Sequence, residues 1–179
     1  MVTVSMPSVD ALREKFPEAA KDTKVNLGGL ANSEVLDADQ IWGVVLASAY
    51  YLGDKELSAA LLADAKTAGV SDAVLDDAQA AATLMGMNTV YFRFRHMVHK
   101  ETYSKKPARL RMQGMARPKT SKALFELMSL AIAALAGCEV CIQSHEASVQ
   151  QHGLGEEHVH EAVRFAAILY GAKVALQLP

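Results

Sequence analysis

The sequence predicts an all-α fold, a helical bundle with an internal repeat of helical halves. Three observations carry that prediction. The chain holds 30 alanines against 11 glycines and 5 prolines, and alanine is the strongest helix former. Four segments space their apolar residues with a helical period, and no window alternates apolar and polar residues long enough for a strand. The glycines recur at matching intervals: Gly53 and Gly69 are 16 residues apart, and so are Gly137 and Gly153. With 179 residues, 51% of them hydrophobic, and a mean hydropathy of +0.10, the chain can bury a sizeable core as one domain. The same figures exclude a disordered chain.

The elements follow in order. Residues 1–36 predict an N-terminal helix over Val9–Lys21 and a loop holding Gly28–Gly29. Residues 37–90 form a first repeat. Its faces are Ile41, Val44, Val45, Ala49 and Leu52, then Val74, Ala78, Ala81, Ala82 and Met85. Residues 91–120 read as a connector, with Pro107 and Pro118 as breakers. Residues 121–179 form the second repeat. Its faces are Leu124, Leu127, Met128, Ala131 and Leu135, then Val159, Ala162, Val163, Ala166, Ala167 and Tyr170. Gly69 and Gly153 read as C-terminal caps. Ser71-Asp72 and Gly155-Glu156-Glu157 read as helix starts, with acids in the first turn. Gly86 and Gly171 are expected near the ends of the next helices. The repeat runs Asp37–Val90 against Ser121–Leu176. Only the second copy carries thiols, so it is expected to be the chemical half and the first copy structural.

Charge and composition narrow the function classes. The net charge is −2, with no global field that points to nucleic acid. Residues 1–90 carry −7 and residues 91–179 carry +5. Ten Lys/Arg and one acid, Glu101, fall in Arg93–Lys122, a solvated connector or a docking strip for an acidic partner or neighbouring subunit. Met1–Asp10 lacks the basic start and apolar run of a signal peptide, and no apolar run reaches membrane-spanning length. A cytoplasmic protein with no membrane partner is expected, where thiols are mostly kept reduced.

The two cysteines, Cys138 and Cys141, carry the chemistry. Their spacing makes them neighbours at a helix start, close enough to close a disulfide. Gly137 suggests that a helix begins there, whose amides and dipole favour a thiolate. His145 is four residues after Cys141, within reach of its thiol directly or through one water, and an imidazole can take the thiol proton. Glu126 is 12 residues before Cys138, about 18 Å along one straight helix. A bend at Gly137 would fold the two helices together, so that Glu126 could approach His145 and orient it. An acid in the apolar run Leu124–Ala136 needs such a partner. Other readings stand beside the redox dithiol. The pair could be half of a zinc site with His145 and one of His152, His158 or His160, or two idle buried thiols. His96 and His99, with those three, read as surface or cap residues. Trp42, Met85-Gly86-Met87 and Tyr91–Phe94 read as core or subunit contact.

On several of its segments the chain resembles the alkylhydroperoxidase D family, within the carboxymuconolactone decarboxylase-like superfamily. These are Val35-Leu-Asp-Ala-Asp-Gln-Ile-Trp-Gly43, Met85-Gly-Met-Asn88, Leu110-Arg-Met112, Phe125-Glu126 and Gly137-Cys-x-x-Cys-x-x-x-His-Glu146. The resemblance spans nearly the whole chain, and the Glu-x₁₁-Cys-x₂-Cys-x₃-His spacing is the family's active-site pattern. It implies an all-α fold assembled as a homotrimer. It implies a thiol peroxidase that reduces hydroperoxides for antioxidant defence. No cofactor or metal is bound; dihydrolipoyl groups on a lipoylated acyltransferase serve as reducing co-substrate. A peroxiredoxin of the alkyl hydroperoxide reductase C type is the implied partner. Carried over, Cys141 is the peroxidatic thiol, passing through a sulfenic acid, and forms the interchain disulfide with the peroxiredoxin. Cys138 is the resolving thiol and proton donor. Glu126 and His145 form the proton relay. One position departs from the mycobacterial members, which carry a His just before the second Cys; here it is Val140. That favours dithiol exchange over direct peroxidase activity, so a dithiol adaptor for the peroxiredoxin is the alternative. A lyase like carboxymuconolactone decarboxylase would leave the paired cysteines unexplained.

Overall fold

The computed structural model describes residues 1–179. Its helices in chain order are α1 (Pro7–Arg13), α2 (Lys21–Gly28), α3 (Ala38–Leu52), α4 (Lys55–Thr67), α5 (Asp72–Met97), α6 (Glu101–Ser104), α7 (Gln113–Ala116), α8 (Lys122–Leu135), α9 (Glu139–Gln151) and α10 (Glu156–Leu176). The strands β1 (Val2–Thr3) and β2 (Asn32–Ser33) pair antiparallel, with Val2 opposite Ser33. They tie the N-terminus to the segment that enters α3.

α3 and α8 are the central helices. Ile41–Ala49 and Leu124–Ala133 are buried without a break, as expected of helices apolar on all sides. They pack on each other, with α5 and α10 against both. Gly43 permits the close approach: a Cβ there would sit 3.1 Å from Leu124 Cδ1 and 3.2 Å from the Met128 sulfur. One hydrophobic cluster runs from Val4 to Ala175 and includes both cysteines.

Each helix triplet, α3–α4–α5 and α8–α9–α10, has the same punctuation. Asp37 and Ser121 cap the first helices, accepting from the backbone N–H of Gln40 at 2.8 Å and Leu124 at 3.1 Å. Gly53, Gly69, Gly137 and Gly153 are the glycines with positive φ, at 72°, 72°, 61° and 91°.

The structure departs from the sequence expectations in four places. The single helix over Val9–Lys21 is two, because Pro17 breaks it and only a 3-10 turn, Glu18–Ala20, follows. Gly28 belongs to α2 instead of a loop. α5 runs on to Met97, so Gly86 lies in its interior and the connector starts later than residue 91. On α10 the buried stripe is Ala162, Phe165, Ala166, Leu169, Ala172 and Ala175. Ala167 and Tyr170 are exposed and Val163 is half-buried. Periodicity found the helix but placed its face about a turn's fraction off, because alanines occur on both sides.

Buried carboxylates hold the irregular segments. Asp64 in α4 accepts from the N–H groups of Ser8 (2.9 Å) and Val9 (3.0 Å), capping α1, whose own N-cap residue, Met6, makes no side-chain cap. Asp77 in α5 accepts from Lys119 N–H at 3.0 Å, Thr120 N–H at 2.7 Å and the Thr120 hydroxyl at 2.7 Å. That anchors the connector where it enters α8. No helix is long and apolar enough to cross a membrane.

Candidate active site

α8 stops in a glycine turn that delivers the cysteines. Gly137 N–H donates to Ala134 C=O and Cys138 N–H to Ala133 C=O, both at 3.1 Å. With Gly137 at φ 61°, this is a Schellman stop, which a residue with a Cβ would strain. Cys138 is the N-cap residue of α9 but makes no side-chain cap. Cys141, in the first turn of α9, has its Cα 5.2 Å from that of Cys138, and the two form a disulfide. Cys138 is fully buried, whereas Cys141 is 6% exposed and lines a cavity. The end of α5 braces the turn. The Arg93 guanidinium donates to Ala136 C=O, and His96 Nε2 lies 3.3 Å from Glu139 Oε2.

The same turn folds α9 back against α8 and brings Glu126 and His145 together. Both are buried, and His145 Nδ1 is 2.6 Å from Glu126 Oε2. Lys122, one turn earlier on α8, places its Nζ 2.6 Å from Glu126 Oε1. Burial pushes the Glu126 carboxyl toward a higher pKa. The hydrogen bonds from His145 and Lys122 and their charges outweigh it, leaving the carboxyl below its ordinary value. An ionised carboxylate only accepts, so the His145 Nδ1 carries the hydrogen. Nε2 is then the nitrogen left for chemistry.

The cavity beside Cys141 measures about 260 Å³. Phe92, Met112, Met115 and Val140 supply its apolar walls, and Asn88, Ser144 and His145 its polar groups. Lys122 Nζ also donates to Met115 C=O at 2.7 Å, so one ammonium ties Glu126 to the cavity wall. Sequence reasoning missed Lys122, Asn88, Phe92, Met112, Met115 and Ser144 as parts of this site. Lys122 had a signal, an ion-pair spacing of i to i+4 with Glu126. Asn88 and Met112 lay in segments that carry the family resemblance, whereas Phe92 and Met115, from the first triplet and the connector, had no signal.

His152 and His158 lie elsewhere. His152 Nδ1 is 2.7 Å from Ser148 C=O, and His158 Nδ1 receives Gly155 N–H at 3.3 Å. No three His, Cys, Asp or Glu side chains converge in a way that could hold a metal ion.

Over 173 residues the chain is 51% identical to the alkyl hydroperoxide reductase AhpD of Anaeromyxobacter sp. (strain K), covering 97% of this chain and 92% of that protein. The chain belongs to the AhpD family. The AhpD proteins of Maricaulis maris (strain MCS10) and Azorhizobium caulinodans are 48% and 41% identical, over 89% and 95% of this chain and 92% and 93% of theirs. Residues 101–178 also match the Carboxymuconolactone decarboxylase family. That stretch is the part of this AhpD-family chain that holds Glu126, both cysteines and His145.

Proposed function

We propose that the chain is a thiol-dependent alkyl hydroperoxide reductase serving antioxidant defence in the cytoplasm. The observation that carries this is a buried Glu126–His145 pair, 2.6 Å apart, behind an apolar cavity that Cys141 lines. The printed names of the AhpD relatives support it.

Each residue has a part. His145 takes the proton of Cys141, while Glu126 orients the ring and offsets the imidazolium charge. The start of α9, which Cys138 leaves without a side-chain cap, favours the thiolate. The thiolate attacks the terminal oxygen of the hydroperoxide, so an S–O bond forms as the O–O bond breaks. The leaving alkoxide takes the proton from His145. Cys138 then attacks the Cys141 sulfenic acid, closing the disulfide and releasing water. Two thiols are oxidised as the hydroperoxide becomes an alcohol and water. Dihydrolipoyl groups of a lipoylated acyltransferase reopen the disulfide by exchange. No bound cofactor takes part. The exposed Val90, Phe94 and Met97 on α5, and Tyr170 and Val174 on α10, support a homotrimer that covers them.

A second reading has one observation in its favour. Val140, beside Cys141, offers no second imidazole. The dithiol would then act as an adaptor, with Cys141 forming a mixed disulfide with an alkyl hydroperoxide reductase C-type peroxiredoxin. The test is consumption of cumene hydroperoxide with dihydrolipoamide, with and without that peroxiredoxin. Turnover without it supports the reductase; turnover only with it selects the adaptor; none in either case overturns both.

A further inference from the structure

Among the groups lining the Cys141 cavity, one polar side chain has no work within the protein. His145 is held by Glu126, and Ser144 is exposed. Asn88, on α5 one turn before Phe92, is 4% exposed, and its Oδ1 is buried without a hydrogen-bond partner. A buried acceptor left unpaired costs its full desolvation. Leucine at this place would pack against the apolar walls without that cost. Such a group in a cavity walled by Phe92, Met112, Met115 and Val140 fits a ligand that is apolar except for one hydrogen-bond donor.

We propose that Asn88 is a substrate-binding residue whose side-chain amide turns its buried Oδ1 toward the cavity, accepts the O–H of the hydroperoxide there and presents its terminal oxygen to Cys141. The inference rests on the reductase reading above. The bond suits the reaction at every stage. When the thiolate attacks, the S–O bond forms, the O–O bond breaks and the alkoxide takes its proton from His145. The hydrogen accepted by Asn88 stays on the transferred oxygen and becomes the O–H of the sulfenic acid. Asn88 thus holds the same hydrogen before and after transfer, and no additional reactant is needed. Reduction of the disulfide by a dithiol involves no such O–H and draws nothing from Asn88.

The experiment separates the two half-reactions in Asn88→Leu and Asn88→Ala. Pre-reduced protein is mixed with cumene hydroperoxide and thiol loss is followed in a single turnover; separately, the oxidised protein is reduced with dihydrolipoamide. We expect oxidation to slow about tenfold in both variants, the worth of one hydrogen bond. Disulfide reduction should stay within about twofold of wild type. Asn88→Leu should melt no lower than wild type, since an unpaired acceptor has been removed. Unchanged oxidation in both variants would overturn the proposal, and would mean that water alone satisfies the amide. Equal slowing of both half-reactions would also overturn it, by making Asn88 structural. If wild type itself is not oxidised by the hydroperoxide, the reductase reading fails and takes this inference with it.

Discussion

The turn between α3 and α4 and the turn between α8 and α9 follow one backbone plan and serve different ends. In the first, the chain passes Gly53 and reaches Asp54, whose carboxylate accepts the Leu57 N–H at 2.9 Å. In the second, it passes Gly137 and reaches Cys138, which leaves the corresponding Cys141 N–H without a side-chain cap. A helix N-terminus favours negative charge in both places. A fixed carboxylate fills that role in the first triplet; a thiolate can fill it in the second. The residues 84 positions before Glu126, Cys141 and His145 are Trp42, Leu57 and Leu61, all buried and apolar or aromatic. The same three places pack a core in one triplet and hold a carboxylate, a cysteine and an imidazole in the other.

The contrast can be broken most sharply at the thiols. Cys141→Ser should abolish hydroperoxide consumption with dihydrolipoamide, while Cys138→Ser should leave a sulfenic acid on Cys141 that dimedone traps, read by mass spectrometry. Normal turnover in Cys141→Ser would sink the assignment. Next comes the relay: His145→Phe should lower the oxidation rate constant about 10²–10⁴-fold, whereas His158→Phe, outside the cavity, should change it little. Equal effects would remove His145 from the mechanism.

The first triplet gives smaller, purely structural effects. Asp54→Ala should cost about 1 kcal/mol in urea denaturation and leave hydroperoxide turnover unaltered; a matching loss of activity would mean that the two turns are coupled. The last prediction concerns acid. Because the folded pKa of Glu126 is lowered, its stabilisation is fully present above the unfolded value of 4.5 and is lost as the pH falls through the folded value. Glu126→Gln should therefore flatten the fall in urea stability below about pH 4.5. Parallel acid limbs in the two proteins would show that the Glu126 pairings contribute no net stability.

Much of this was legible before any coordinates. The paired glycines, the apolar stripes of α3, α5 and α8, and the Cys138–Cys141–His145 spacing are local signals, set by helix periodicity and capping chemistry. Glu126 was legible because an acid inside the run Leu124–Ala136 demands a partner. The face of α10 was not, since alanine packs equally well inside and outside and marks neither. Pro17 was a readable break inside the expected Val9–Lys21 helix.

The helical class, the glycine stops at Gly53, Gly69, Gly137 and Gly153, and the short-range geometry of the dithiol follow from the order of residues alone. The packing of distant helices is what lets Lys122 join Glu126 to Met115 and lets Asn88 and Phe92 of α5 line the cavity beside Cys141. The reason is physical. Caps and i to i+4 pairs are fixed by bonds a few residues apart. A cavity is made where distant helices fail to fill the space between them, and that depends on how whole helices cross.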